Sequence, residues 1–175
     1  MRMFKPVVTV IGVATLALML AGPAAAKNKF EKEVEIETGA VKLVREVQRG
    51  GYDVVTTAEL KQWIDSGKDM VIVDTMPYND SYRKMHIPGA VQFLFPIPEM
   101  ERWDKAETDG KAPLDYTALL GSDKTKPIVV YCGFVKCTRS HNGAAWAVKL
   151  GYQQVFRHTG GIFAWKGAKY PVATD

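Results

Sequence analysis

Two short, uninterrupted apolar runs constrain the fold of this chain more than any other feature. The first is Met70–Val73, and the second is Ile128–Tyr131, which follows Pro127. Each run has the length of a strand, and neither alternates with polar residues. Continuous apolar strands are typical of parallel sheets whose two faces are both covered. The runs therefore predict an α/β fold with a buried, mainly parallel sheet.

Segments with helical features alternate with these strands, as an α/β fold requires. A capping box at Thr56–Glu59 predicts one helix start, and further helices are predicted within Met76–Lys84, over Leu114–Leu120 and over Thr138–Leu150. Further apolar stretches are Val91–Phe95, the short strand Gln154–Phe156, and Ile162–Trp165 after the turn Gly160–Gly161. The least regular part is Pro96–Pro113, which we expect Trp103 to anchor to the core.

The first 26 residues have the pattern of a signal peptide. Arg2 and Lys5 precede the uncharged apolar run Val7–Ala21, which Gly22–Pro23 and the small residues Ala24–Ala26 follow. We expect cleavage near Ala26, a periplasmic or secreted location, and no stable membrane span afterwards. An uncleaved anchor is the alternative, but the run is shorter than the roughly 20 residues that a spanning helix needs. No cysteine follows the run, so a lipid anchor is not indicated.

The remaining chain has the length of one domain. We divide it into an N-terminal extension, residues 27–51, and a domain, residues 52–175. In the extension, Val34 and Ile36 predict a short strand or arm, and an amphipathic helix through Val47 is predicted to end at Gly50–Gly51. Removing Arg2 and Lys5 lowers the formal net charge from +4 to +2. No basic cluster remains that would indicate a nucleic-acid partner.

The chain has two cysteines, Cys132 and Cys137, and three histidines. Two cysteines are too few for a disulfide scaffold. Zinc usually takes four ligands at characteristic spacings, and no such set is present, so we expect neither a metal nor a cofactor. A nucleophilic or redox role is the remaining chemical interpretation, and two inert thiols are the alternative.

Cys132 directly follows the predicted strand Ile128–Tyr131, at the sheet edge where ligands of parallel sheets bind. A helix is predicted to start near Arg139, so its N-terminus and the charges of Lys136 and Arg139 favour an anion nearby. We therefore expect a lowered pKa for Cys132 and a cradle for a persulfide. The predicted substrate-binding loop is Gly133, Phe134, Val135, Lys136, Cys137 and Thr138.

Several motifs together resemble the rhodanese family. They occur in family order between about Tyr52 and Val172, and they are Val71–Asp74, His86–Ala90, Val129–Cys132, Arg139–Ser140, Leu150–Tyr152 and Gly160–Trp165. The resemblance implies a five-stranded, mainly parallel sheet with helices on both faces, and sulfur transfer through a cysteine persulfide. It implies that Cys132 carries the persulfide and that Arg139 closes the loop. A small sulfur-containing anion would be the substrate.

Two positions depart from the family pattern. Six residues separate Cys132 from Arg139 where family loops commonly have four, so the loop has room for a bulkier anion than thiosulfate. Many members also have an arginine two positions after the strand-end aspartate, and this chain has Met76 there. An anion-binding or ion-pairing group of the family is therefore replaced by an apolar side chain.

Cys137 has three possible roles. As a resolving thiol it would attack the Cys132 persulfide, release sulfide and leave a disulfide that a thiol or redox partner protein reduces. The alternatives are that it is the nucleophile itself, which would leave almost no loop between it and Arg139, or that it only packs. The main functional hypothesis is thus a sulfurtransferase. A non-catalytic or redox module that uses the cysteine pair is the alternative, followed by a phosphatase or arsenate-type enzyme.

The other candidate residues have simpler expected roles. Asp74 should form local hydrogen bonds at its strand end, and His86 should help to shape a turn with Pro88. His141 should be exposed on its helix. His158, Trp146 and Trp165 are expected to be surface or core residues.

Overall fold

The computed structural model describes residues 28–175, and the predicted signal peptide lies outside them. These residues form one five-stranded parallel sheet with five α-helices. The strands are β1 (Asp53–Val55), β2 (Val71–Asp74), β3 (Val91–Gln92), β4 (Ile128–Tyr131) and β5 (Val155–His158). The helices are α1 (Lys29–Gly50), α2 (Thr57–Asp65), α3 (Pro113–Leu120), α4 (Arg139–Lys149) and α5 (Gly161–Gly167).

The strand order is β1-β5-β4-β2-β3, and every neighbouring pair is parallel. This confirms the predicted α/β class and the five-stranded sheet. The apolar run Ile128–Tyr131 is the central strand, with β2 and β5 on either side. Its carboxyl end therefore opens at the middle of the sheet edge.

The uninterrupted apolar sequence of β4 is explained by burial on both faces of the sheet. Ile128 and Val130 pack into one core cluster, with residues of α3 and α4, while Val129 and Tyr131 pack into the other, with residues of α2 and α5. All four side chains are fully buried. A polar residue in this strand would lose its hydration on either face.

The extension folds differently from the prediction. The expected strand or arm at Val34 and Ile36 is wrong, because α1 is one continuous helix that starts at the Asn28 capping box. Both side chains are exposed, so their alternation reflects no buried strand face. The predicted end is confirmed, since Gly51 closes the helix in the left-handed conformation with φ of 66°.

Smaller differences concern short elements. The helix expected within Met76–Lys84 is only a 3₁₀ turn, Tyr82–Lys84, and β1 was not foreseen. Trp103 does anchor the irregular segment to the core, because its ring packs against Phe95 and Trp146. Within residues 28–175, no helix is long and apolar enough to cross a membrane.

Candidate active site at the end of the central strand

The backbone after β4 is held tightly by α5. The carbonyl oxygens of Cys132 and Gly133 accept hydrogen bonds of 2.9 and 3.0 Å from the N–H groups of Ile162 and Phe163. Gly161 adopts φ of +59°, and a Cβ atom there would lie 2.2 Å from the Cys132 oxygen. The Gly160–Gly161 turn thus brings the start of α5 against the cysteine loop, residues 132–138, at a distance that only glycine permits.

The Cys132 sulfur lies in surroundings that suit a neutral thiol. The residue is 1 % exposed, and its Sγ lies 3.2 Å from Ser140 Oγ. The thiol also points toward the carbonyl oxygens of Cys137 and Phe134, at 3.5 and 3.7 Å. Burial and the hydrogen bond with Cys137 raise the pKa of Cys132 well above its usual value, and opposing hydrogen bonds from Ser140 do not prevail. The expected lowering of this pKa is therefore wrong for the described conformation.

Cys137 instead has the environment of a thiolate. A hydrogen bond from the Cys132 side chain lowers the pKa of Cys137 to about 6, against the opposing effect of burial. The backbone amides of Arg139 and Gly133 and the charge of Arg139 act in the same direction. Cys137 lies two residues before α4, so the helix dipole also favours its negative charge. Of the amides in the predicted loop, that of Gly133 thus acts on the second cysteine.

The side chains of the loop and of Arg139 differ in their exposure and in their contacts. Arg139 donates a hydrogen bond from Nη1 to the carbonyl oxygen of Phe95. Lys136 is exposed, as are Phe134 and Val135. Thr138 is half-buried, and its hydroxyl accepts a hydrogen bond of 3.1 Å from Lys42 of α1. The role of Arg139 as the closing residue stays a prediction.

Arg157 of β5 is a further component of the site, and no sequence motif indicates it. Its side chain is fully buried, and all five of its N–H donors have acceptors. These acceptors are Ser140 Oγ at 2.8 Å, Glu46 Oε2 at 2.5 Å, Tyr52 Oη at 3.2 Å, and the carbonyl oxygens of Val135 at 3.3 Å and Cys137 at 2.8 Å. The only sequence signal was an arginine at the end of an apolar strand, which does not reveal its partners.

This arginine sets the direction of two loop peptides. Because the Val135 and Cys137 carbonyls face Arg157, the N–H groups of the same planar trans peptides, those of Lys136 and Thr138, point the opposite way. Within residues 28–175, neither N–H group has a hydrogen-bond acceptor. The Cys137 N–H between them donates a hydrogen bond to the Phe134 carbonyl oxygen, so the loop offers two separate amide donors on the side away from Arg157.

The strand-end residues beside β4 are also buried. Asp74 accepts a 2.8 Å hydrogen bond from the Met76 N–H, which confirms its expected local bonding, and burial raises its pKa to about 6. The Met76 methyl group lies 3.8 Å from where a Cβ of Gly133 would be, so this side chain borders the loop. Burial also lowers the pKa of His158, to about 4.

His141 is not exposed, contrary to expectation. The residue is buried where α4 faces α1, with Nδ1 at 2.9 Å from Tyr52 Oη and Nε2 at 3.3 Å from Glu99 Oε1. Burial lowers its pKa. His86 has a structural place, since Nδ1 lies 2.9 Å from the Tyr82 carbonyl oxygen. Within residues 28–175, no group of three or more His, Cys, Asp or Glu side chains could hold a metal ion.

Solved structures with the same fold include proteins from several bacteria. The BH2092 protein of Bacillus halodurans is 23% identical, with a TM-score of 0.54 over 77% of this chain and 86% of that chain. Thiosulfate sulfurtransferase of Pseudomonas aeruginosa is 23% identical, with a TM-score of 0.56 over 78% of this chain and 22% of that longer chain. RPA3614 of Rhodopseudomonas palustris, described as a possible tyrosine phosphatase, is 25% identical, with a TM-score of 0.52 over 75% and 93% of the two chains.

A comparison with curated proteins gives no match. The model of the rhodanese-like domain matches residues 56–168, which is more than half of the chain and includes the complete cysteine loop. The matched segment runs from the start of α2 to the end of α5. The chain therefore belongs to the rhodanese-like domain family.

Proposed function

We propose that this protein is a sulfurtransferase that takes sulfane sulfur from a small anion such as thiosulfate and passes it to a thiophilic acceptor. The observation that carries the proposal is the pair of free thiols after β4, with Cys137 two residues before the N-terminus of α4. Family membership supports this chemistry, and a thiosulfate sulfurtransferase shares the fold. An exported location would fit the predicted signal peptide.

The first half-reaction would be an attack of a thiolate on the outer sulfur of thiosulfate. The new S–S bond forms as the S–S bond of thiosulfate breaks, and sulfite leaves with the electron pair. The product is a cysteine persulfide, whose outer sulfur an acceptor nucleophile then removes. Neither step needs a dedicated base, because the attacking group is already an anion.

The contacts of the two sulfur atoms support Cys137 as the attacking group. Two carbonyl oxygens lie within 3.7 Å of Cys132 Sγ and would repel a negative charge there. Amides and the charge of Arg139 favour the charge on Cys137. Cys132 as the persulfide carrier stays a prediction that rests on family resemblance, and in the described conformation it is better suited to the role of second thiol.

Intact-mass analysis after incubation with thiosulfate tests the function and separates the two thiols. The wild type, Cys132→Ser and Cys137→Ser should be compared, each variant being the matched control of the other. We expect a gain of one sulfur atom in the wild type and in Cys132→Ser, and none in Cys137→Ser. A gain that requires only Cys132 would restore the family-based assignment. If thiosulfate and a polysulfide donor both leave every form unchanged, the proposed function is wrong.

A redox module is the second candidate, because both thiols are free and Cys132 Sγ lies 3.5 Å from the carbonyl oxygen of Cys137, which places the two residues side by side. The second thiol would attack the inner sulfur of the persulfide, forming a Cys132–Cys137 disulfide and releasing hydrosulfide. An external thiol or redox protein would then have to reduce the disulfide. A stable disulfide without any detectable persulfide would favour this module over the transferase.

A further inference from the structure

We propose that Glu46 of α1, acting through Arg157, is a positioning residue for the cysteine loop. The effect of Glu46 on sulfur transfer rests on the proposed function, whereas the contacts between Glu46, Arg157 and the loop do not depend on it. Glu46 lies outside the matched segment 56–168, on the extension to which the sequence analysis assigned no chemistry. Helix α1 would therefore be part of the active site.

The contact between α1 and the domain is a buried ion pair. The Glu46 side chain is 2 % exposed, the Arg157 side chain is 0 % exposed, and Oε2 and Nη1 are 2.5 Å apart. Charged groups removed from water to this extent are strongly destabilising unless each keeps its counter-charge. Glu46 is therefore what allows a guanidinium to lie beneath the cysteine loop.

The guanidinium of Arg157 connects Glu46 to the cysteine loop. One edge binds Glu46 and the Tyr52 hydroxyl, and Nη2 binds the carbonyl oxygens of Val135 and Cys137. Because the group is planar and rigid, fixing one edge fixes the direction of the other donors. A displacement of Arg157 would release the Val135–Lys136 and Cys137–Thr138 peptides. Cys137 would then shift relative to the Gly133 and Arg139 amides that stabilise its thiolate.

The same helix also holds the outer side of the loop. Lys42, one turn before Glu46, places Nζ at 3.1 Å from the Lys136 carbonyl oxygen and at 3.1 Å from Thr138 Oγ1. Its Nζ is also 3.4 Å from Glu46 Oε1. Two neighbouring positions on one helix face therefore hold the loop, one from the buried side and one from the solvent side.

The test compares Glu46→Gln with Lys42→Met and with the control Glu33→Gln, which makes the same change at an exposed position of α1. Two rates are measured: sulfur uptake from thiosulfate, and alkylation of Cys137 by iodoacetamide as a function of pH. We expect Glu46→Gln to slow uptake by about 10- to 100-fold, the range for a misplaced reacting group. Its alkylation midpoint should move to higher pH, and Lys42→Met should show a smaller shift in the same direction.

The sign of the pH shift distinguishes positioning from simple electrostatics. Loss of a negative charge near Cys137 would by itself favour the thiolate and lower the midpoint, whereas displaced amides raise it. A folded Glu46→Gln protein with an unchanged or lowered midpoint would overturn the proposal. If that variant does not fold, Tyr52→Phe, which removes another contact of Arg157 without a change in charge, decides by the same criterion. Absence of sulfur uptake in the wild type would refute the proposed function, while the alkylation midpoint would still test the positioning.

Discussion

Replacing Gly161 by alanine should damage both stability and the site, and the structure gives the size of the effect. Alanine at φ of +59° is strained by about 1–2 kcal/mol. Its Cβ would also lie 2.2 Å from the Cys132 oxygen and 2.6 Å from the Gly133 carbonyl carbon, both backbone atoms that no side-chain rotation can move. Such overpacking costs about 1–3 kcal/mol, so the total loss should be about 2–5 kcal/mol.

Thermal unfolding followed by circular dichroism measures this loss. For a domain of this size, each kcal/mol corresponds to roughly 2–4 °C, so Tm should fall by roughly 4–20 °C. The matched control is Gly167→Ala in the same helix, where a Cβ would meet nothing within 4 Å and φ is not positive. This control should keep or slightly raise Tm, since alanine is the better helix former. Equal Tm values for the two variants would refute the close-approach argument.

Two further predictions concern ionisation. Alkylation of Cys137 should rise with pH through about 6 and level off above it. Cys132→Ala removes the side chain whose hydrogen bond lowers the pKa of Cys137, so this variant should have a higher alkylation midpoint. An unchanged midpoint would contradict an effect of Cys132 on the pKa of Cys137. Burial raises the pKa of Asp74 from 3.8 to about 6, so the wild type loses stability as pH rises through this interval. Asp74→Asn should therefore be more stable than the wild type by up to about 3 kcal/mol at pH 8 and show no gain below pH 4, as urea unfolding would measure. A gain of equal size at both pH values would exclude this explanation.

The fold could be predicted because its strongest signals are local. The apolar runs around Val73 and Val130 form strands that are buried on both faces of the sheet. Such strands are typical of parallel sheets, so the runs predict this fold class. Strand polarity then fixes where Cys132 lies, without any knowledge of side-chain contacts. The helix start at Thr56 follows from its capping box, which the structure confirms.

The details of the site could not be predicted because they depend on contacts between distant positions. Glu46 and Arg157 are 111 residues apart, and neither residue type indicates burial by itself. His141 is buried by contacts with Tyr52 and Glu99, on the side of α4 that faces α1, and periodicity within one helix does not reveal such contacts. Which cysteine holds the charge depends on the direction of individual loop peptides, and sequence spacing carries no information on that.

The buried pair between Glu46 and Arg157 also defines how much of the chain must be kept together. A fragment trimmed to the segment that the family model recognises would begin at residue 56 and would lack both Glu46 and Tyr52. The same cut would remove β1, which pairs with β5. Small domains have only about 5–15 kcal/mol of total stability, so the loss of an edge strand and a buried ion pair should lower the stability of the fragment markedly. The unit that keeps Arg157 paired is therefore larger than the segment that the family model recognises.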